Sequence, residues 1–349
     1  MKHTCIYCKQ VKDENDFNRE HVVPRMMGRY TDGLVLSQYQ VCEECNSYFS
    51  KEIENKVGLN SYEAFLRMKS GTKRMSNGRK VHGTRISFTG QDGLFNGVSF
   101  IPIADDSAPE GFRLEIEHCI GIKTSKDEYD YYKIEELPVA TESLLNKLKG
   151  YTSPIIQFGY DESVTTQILQ EKGYLQPSAK YEERKIEEEY QGTEFVTSIK
   201  FSVDSILRRV CAKTLFNYLC WSTSAEYVLE PQFDLIRKYI RYGEWDESLW
   251  CRNSIGFVSS ATPPNETSHA VGTMLFINGD HAELLGCVTW FGEITYIIKL
   301  CNIEPTGQQK LGDKLTGVIL PSVNTKFAYF DNETTNISYE DATFIYCPK

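Results

Sequence analysis

Two cysteine pairs near the start of the chain limit its fold more than any other feature. Cys5 and Cys8 form one pair, Cys42 and Cys45 form the other, and 33 residues separate Cys8 from Cys42. A CxxC turn directs two thiolates at one ion, and two such turns complete a tetrahedral zinc site. Two redox-active turns or four buried free thiols are the alternatives, but a redox pair usually begins a helix in a thioredoxin-like pattern. We therefore predict that these four residues hold a structural Zn²⁺.

The other seven cysteines occur singly. An odd total of 11 cysteines cannot pair completely as disulfides, and most of the seven lie in apolar stretches, where a free thiol packs as a small hydrophobic side chain. The N-terminus lacks the apolar segment of a signal peptide, and the longest apolar runs are far shorter than the roughly 18 residues that cross a bilayer. We expect a cytoplasmic chain without a membrane segment.

Charge is distributed unevenly along the chain. The net charge is −10, yet residues 1–80 contain 14 Lys and Arg against 10 Asp and Glu, while residues 81–349 contain 24 against 38. Nucleic-acid binding depends on clustered Lys and Arg, so only the N-terminal part suits that function. This part ends in a basic cluster without acidic residues, namely Arg67, Lys69, Lys73, Arg74, Arg79 and Lys80. The cluster predicts either a segment that contacts the phosphate backbone or a solvated linker.

Residues between and just after the cysteine pairs suit phosphodiester hydrolysis. Glu20 and His21 lie on a predicted strand, and Asn46 directly follows the last cysteine, where we predict that a helix begins. A neutral imidazole, with an ordinary pKa near ~6.5, can take a proton from water at neutral pH. Carboxylate and amide oxygens are suitable ligands for hard divalent cations. The structural alternatives are a packed His21 and an Asn46 that only caps its helix.

Taken together, these motifs resemble the HNH endonuclease family, also called the ββα-metal nucleases. The shared pattern within about residues 1–60 comprises the cysteine pairs, Glu-His-x-x-Pro at 20–24, Gly28 and the asparagine after the last cysteine. The resemblance implies a DNA endonuclease in which His21 is the general base and Glu20 and Asn46 bind a catalytic Mg²⁺ or Mn²⁺. Adjacent residues on a flat strand face opposite ways, so Glu54 on the helix is an alternative carboxylate for this cation.

Beyond residue 80, strand-like and helical segments alternate. Apolar periodicity predicts strands within 81–122 and 255–300, and helices at 141–149, 162–172, 181–190, 203–221 and 232–242. Glycine-containing turns at 278–280 and 291–293 indicate antiparallel hairpins. The predicted fold class is α+β, with a small zinc-bound HNH domain at 1–66, a basic linker at 67–80 and a larger mixed domain at 81–349 that subdivides near residue 200.

Helices 203–221 and 232–242 carry six basic residues inside this acidic region. We predict that they pair with nearby carboxylates rather than bind phosphate, and they are Arg208, Arg209, Lys213, Arg237, Lys238 and Arg241.

The long C-terminal extension contains no second catalytic constellation. By analogy with other nucleases that carry extensions, we expect it to select the DNA target, sense a trigger or small signal, or bind a partner protein in bacterial restriction or antiphage defence. The alternative is a non-catalytic zinc module that binds nucleic acid or protein and in which His21 only packs. The sequence leaves the DNA specificity and the oligomeric state open.

Overall fold

The chain forms two compact units, one made of residues 1–76 with 203–349 and the other of residues 77–202. The computed structural model describes residues 1–30, 34–71, 76, 78–81, 85–126, 128–151, 153–175, 196–256, 267–278, 281–303, 326–331, 336–341 and 345–346. This division differs from the predicted boundaries at 66 and 80, because the residues after 203 pack with the N-terminal segment. Among the helices described, none combines the length and apolar character that a membrane span requires.

The N-terminal segment contains two short hairpins followed by helices. The hairpins pair β1 (Lys2–Thr4) with β2 (Val11–Asp13) and β3 (Phe17–Asn18) with β4 (Val41–Cys42). The helical elements are α1 (Glu43–Tyr48), a π-helical segment (Phe49–Glu54), α2 (Asn55–Val57) and α3 (Tyr62–Ser70). Small strands and a helix around the cysteines agree with the predicted fold class.

Two local predictions for this segment are wrong. His21 forms one isolated bridge with Val35 instead of lying in a strand. Helix α1 begins at Glu43 after an extended Cys42 (φ −73°, ψ 154°), so Asn46 lies inside the helix and does not cap it. The chain must turn between the two cysteines of the second pair to bring both thiols to one point, and the helix therefore starts there.

Among its described residues, the second unit contains two antiparallel sheets and two α-helices. One sheet has the order β11-β5-β6-β7, with β5 (Ile86–Gly90), β6 (Ser99–Ala104), β7 (Phe112–Ile116) and β11 (Thr197–Phe201). The other has the order β10-β8-β9, with β8 (Cys119–Lys123), β9 (Tyr129–Tyr132) and β10 (Ile155–Phe158). Helices α4 (Glu142–Leu148) and α5 (Glu162–Glu171) confirm two predicted helices. The predicted helix at 181–190 lies outside the described residues.

In the described residues of the C-terminal part of the first unit, three α-helices accompany a large sheet. The helices are α6 (Ser205–Ser222), α7 (Ala225–Val228) and α8 (Asp234–Tyr242). The strands are β12 (Cys251–Ile255), β13 (His269–Asn278), β14 (His281–Trp290), β15 (Ile294–Ile303), β16 (Lys326–Phe330), β17 (Ile337–Asp341) and β18 (Ile345–Tyr346). They pair in the order β12-β15-β14-β13-β16-β17, all antiparallel, and β18 adds in parallel to β13. The predicted antiparallel sheet packed on helices is confirmed.

Helix α6 is the centre of the first unit. Its N-cap Asp204 accepts a hydrogen bond from Leu207 N at 3.0 Å, and 13 of its 18 residues are buried because it contacts β13–β15 as well as residues 49–57. A Cβ atom on Gly286 of β14 would lie 2.8 Å from the Leu215 side chain, so this glycine allows the helix to approach the sheet. Each fully buried Leu or Phe of α6 contributes roughly 1.5–3 kcal/mol to folding.

Candidate active site

The four predicted cysteines come together between the two N-terminal hairpins. Cys5 and Cys8 follow β1, Cys42 ends β4 and Cys45 lies in α1. Their Sγ atoms lie within 4.8 Å of one another, and those of Cys8 and Cys42 are 3.8 Å apart. Thiolates ~2.3 Å from a central zinc ion in a tetrahedron are about 3.8 Å from each other, so the four donors fit zinc. Four sulfur ligands leave no position for water or substrate, which indicates a structural role.

A residue from the distant C-terminal part supports this cysteine cluster. Arg241, on α8, donates from Nε to Cys45 Sγ at 3.3 Å and from Nη2 to Glu44 at 3.1 Å. Its guanidinium also lies over the ring of Tyr48, 4.3 Å from the centroid. An N–H group donated to a sulfur ligand orients that ligand and stabilises its negative charge. Arg241 follows Cys45 by 196 positions, so no local pattern near the cysteines indicates this contact.

Glu20 points into the core of the first unit. The residue is 5% exposed, and its carboxylate accepts hydrogen bonds from Lys213 Nζ and, at 3.1 Å, from Asn217 Nδ2. Lys213, on α6, is fully buried and also donates to Glu54 Oε1 at 2.6 Å. Burial alone would lower the pKa of Lys213, but the charges of Glu20 and Glu54 outweigh this effect and raise it. These side chains form a buried ion cluster with one ammonium between two carboxylates, which we call the Lys213 cluster.

Asn217, one helical turn after Lys213, holds the backbone at His21. Its Nδ2 donates to His21 O at 3.0 Å, and its Oδ1 accepts a hydrogen bond from the buried Tyr7 hydroxyl at 2.5 Å. Asn217 was not among the site residues predicted from the sequence. Its spacing of four from Lys213 places two polar side chains on one face of a mostly apolar helix, and this was the available signal for buried polar partners.

His21 lies on the wall of a cavity with a volume of ≈ 890 Å³. The side chain is half-buried. Burial lowers the pKa of His21, and the positive charges of Arg25, Lys213 and Arg19 lower it further. The imidazole is therefore neutral at neutral pH, and this is the form that accepts a proton from water.

Asn46 lies beside the chain segment that leads to Glu20 and His21. Its Nδ2 donates to the backbone oxygen of Arg19 at 3.1 Å. Its Oδ1 makes no hydrogen bond with any residue that the structure describes. Helix α1 is thereby tied to the backbone that immediately precedes the predicted catalytic residues.

The residues predicted to hold Mg²⁺ or Mn²⁺ do not form a ready ligand set. The Glu20 carboxylate is bonded to Lys213 and Asn217, and the alternative carboxylate, Glu54, is bonded to the same lysine. Across the described parts of the chain, the four cysteines are the one group of three or more Cys, His, Asp or Glu side chains arranged to share an ion. The role of Glu20 and Asn46 as ligands of a catalytic cation thus stays a prediction.

Three of the four described residues of the basic cluster have side-chain partners within their own unit. Arg67 is buried and donates to Met26 O at 2.8 Å and Gly58 O at 2.7 Å. Lys69 lies 3.6 Å from Glu293, and Lys80 lies 3.1 Å from Glu115. The backbone N–H groups of Gly78 and Val81 donate to backbone oxygens of β6, so the end of this cluster lies beside a sheet. The side chain of Arg79 is exposed. Lys73 and Arg74 lie outside the described residues, and DNA contact by the cluster stays a prediction.

The expected pairing of basic residues on α6 and α8 is confirmed for three of them. Lys213 pairs with Glu20 and Glu54, Arg237 with Asp234, and Arg241 with Glu44. Arg209 instead donates to the backbone oxygens of Ile240 and Arg241 and to the Tyr48 hydroxyl.

Comparison with known proteins agrees with the geometry of this segment. Residues 5–61 match the model of a family described as HNH endonuclease. No curated protein and no solved structure matches the chain. The matched range includes all four cysteines, Glu20, His21 and Asn46, whereas Lys213, Asn217 and Arg241 lie outside it. Residues 5–61 are therefore an HNH endonuclease domain, and the rest of the first unit supplies buried side chains that hold it in place.

Proposed function

We propose that this protein is an endonuclease that hydrolyses DNA phosphodiester bonds, with His21 as the general base. The observation that carries the proposal is the position of His21, which belongs to the HNH domain and lies on the wall of a cavity where burial lowers its pKa. Three arginines, Arg19, Arg25 and Arg29, line the same cavity. Positive charge around a neutral base suits the attack of water on an anionic phosphodiester.

In the proposed reaction His21 takes a proton from a water molecule while the water oxygen attacks phosphorus. One P–O bond forms and the P–O bond to the leaving oxygen breaks, after which that oxygen takes a proton from solvent. The guanidinium groups of the cavity compensate the charge that develops on the phosphate oxygens. Asn217 and Asn46 keep the His21 backbone in place through their bonds to His21 O and Arg19 O.

The resemblance also implies Mg²⁺ or Mn²⁺ as a cofactor. Glu20 Oε1 accepts hydrogen bonds from both Lys213 and Asn217, so Oε2 is the Glu20 oxygen that would bind such a cation. We assign the cation no step in the reaction, and the cleavage assay decides whether it is needed.

The test is cleavage of plasmid DNA by zinc-loaded full-length protein with Mg²⁺, with Mn²⁺ and without added divalent cation. We expect cleavage by the wild type and a loss of roughly 10²–10⁴-fold in His21→Ala, as for removal of a general base. His118→Ala is the matched control, since His118 is exposed and belongs to the second unit. Equal cleavage by wild type and His21→Ala would exclude His21 as the base.

One observation favours a second candidate function. Because no carboxylate is among the described residues that line the His21 cavity, a non-catalytic zinc module that binds nucleic acid or protein is the alternative. It predicts binding to DNA without cleavage in any of the cation conditions.

The wider role is a proposal that rests on the resemblance. We propose that the chain acts in bacterial restriction or antiphage defence, with residues outside the HNH domain selecting the target or responding to a partner protein or small signal. Phage plating on bacteria that express the wild type or His21→Ala tests this role. Equal plating efficiency on both strains would contradict it.

A further inference from the structure

Three arginines around the His21 cavity have no carboxylate partner in the part of the chain that the structure describes. Arg19, Arg25 and Arg29 are exposed, and none forms an ion pair with any residue that the structure describes. Among the described residues that line the cavity there is no Asp or Glu. In an acidic chain this concentration of unpaired positive charge indicates an anionic ligand, because guanidinium groups bind phosphate through paired N–H donors.

The backbone that carries two of these arginines is firmly held. Arg67 donates to Met26 O at 2.8 Å, and the buried ring of His269 bonds to Met27 O through Nε2 at 3.0 Å. These two contacts fix the backbone between Arg25 and Arg29. The part of the cavity wall that carries Arg25 and Arg29 therefore has a held backbone. A ligand that binds there orders few additional residues, and this lowers the entropic cost of binding.

Another part of the cavity wall is aromatic. Trp221, in the last turn of α6, lines the cavity, is 38% exposed and stacks on Tyr218 with a centroid distance of 5.9 Å. Tyr30 also lines the cavity and packs edge-on against Phe330 at 5.0 Å. Exposed aromatic faces near guanidinium groups are typical of sites that bind single-stranded nucleic acid, because every base presents a flat face for stacking.

We propose that this cavity receives one unpaired nucleotide of the DNA strand, with a phosphate against Arg25 and Arg29 and the base against Trp221. The inference rests on the proposed function and names its substrate as DNA that is single-stranded or locally unpaired. A volume of ≈ 890 Å³ falls within the range of ligand cavities. In a continuous duplex the base faces are covered by their neighbours, so a base must leave the stack to reach the tryptophan.

Binding is measured separately from cleavage. The protein is full-length, zinc-loaded His21→Ala without added divalent cation, and the probes are a labelled single strand of about twelve nucleotides and the matching duplex. Fluorescence anisotropy gives the affinity as a function of salt concentration. Quenching of tryptophan fluorescence by unlabelled DNA reports contact with Trp221. The Trp221→Phe variant shows how much of the quenching comes from Trp221 and how much from the other tryptophans.

We expect the single strand to bind more tightly than the duplex. Arg25→Gln and Arg29→Gln should each weaken binding several-fold and lower by about one the slope of log affinity against log salt concentration. Trp221→Ala should lower the affinity roughly tenfold for the single strand and leave the affinity for the duplex unchanged. Arg252→Gln removes the same charge from an exposed position on β12 outside the cavity and should change affinity less than about twofold. Circular dichroism checks that each variant is folded.

Equal effects of Arg25→Gln, Arg29→Gln and Arg252→Gln would overturn the proposal, as would tighter binding of the duplex or unchanged binding by Trp221→Ala. The proposed function fails independently. If the wild-type protein binds single strands in this way but cleaves no DNA, the proposed nuclease activity is refuted, whereas the proposed nucleotide-binding site is not.

Discussion

Lys213 on helix α6 is fully buried and lies 2.6 Å from the carboxylate of Glu54, which ends the π-helical segment after α1. The same ammonium bonds to Glu20, the residue before the predicted general base. A charge in the C-terminal part of the chain is thus compensated by two charges in the HNH domain. The two parts are energetically coupled, because either one alone would leave buried charges without partners.

Lys213→Met tests this coupling. Removal of the ammonium leaves the buried carboxylate of Glu20 beside the partly exposed carboxylate of Glu54, and breaking a buried ion pair in this way costs about 3–5 kcal/mol. We expect a loss of that size in the free energy of unfolding, measured by urea denaturation. The control is Lys56→Met, since Lys56 forms only an exposed pair with Glu52, and such pairs contribute about 0–1 kcal/mol. The triple variant with Glu20→Gln and Glu54→Gln should recover part of the loss, and a mild effect of Lys213→Met alone would contradict the coupling.

Zinc is expected to bind once per chain and to stabilise the N-terminal segment. Cys45→Ser removes a buried ligand that also contacts Arg241, so we expect a zinc content near zero and a lower melting temperature, because the binding free energy of a structural zinc is folding free energy. Cys251→Ser is the control, since Cys251 is a free thiol outside the cluster. Elemental analysis and thermal melts measure both effects. Full zinc content in Cys45→Ser would refute the assigned ligand set.

His269 should make the protein less stable in mild acid. Its Nε2 bonds to Met27 O and its Nδ1 accepts a hydrogen bond from Phe291 N, both at 3.0 Å, so the neutral ring is fully satisfied. Burial lowers the pKa of His269 from 6.5 to about 4. The unfolded chain therefore binds a proton between these values that the folded chain does not, and stability falls as pH drops from 6.5 to 4, by up to about 3 kcal/mol.

Urea denaturation of wild type and His269→Gln across this pH range measures the effect. The variant should be less stable at pH near ~7 but should show a shallower decline in acid, since glutamine does not titrate. Parallel pH profiles for the two proteins would show that His269 does not cause the decline.

Residues 1–80 should not fold when expressed alone, even with zinc. Tyr7 and Phe49 are buried, and Tyr7 packs against Phe216 of α6 with a centroid distance of 5.4 Å. Truncation exposes these rings and removes Lys213 and Asn217 from Glu20. We expect no cooperative thermal transition by circular dichroism, in contrast to the full-length chain. A cooperative, zinc-dependent transition of the fragment would show that the HNH domain folds independently.

Local patterns were sufficient to predict several elements. The apolar spacing in α6 predicted residues 203–221, and the helix spans Ser205–Ser222. The turn at 291–293 predicted the β14–β15 hairpin, whose strands pair from Trp290 with Ile294 onward. Short-range signals failed at the start of α1, because the geometry of the second cysteine pair overrides the capping preference of Asn46.

The sequence by itself determined the four clustered cysteines, the α+β class and the resemblance to HNH nucleases, because these depend on residue types at short, fixed spacings. Only the tertiary structure decided which side chains surround His21. Glu20 and Lys213 are 193 positions apart, and their contact depends on how α6 packs between the sheet and residues 49–57. Burial gives this contact its importance, because a nearby cation stabilises a charged carboxylate that is removed from water, and Lys213 supplies that cation for Glu20.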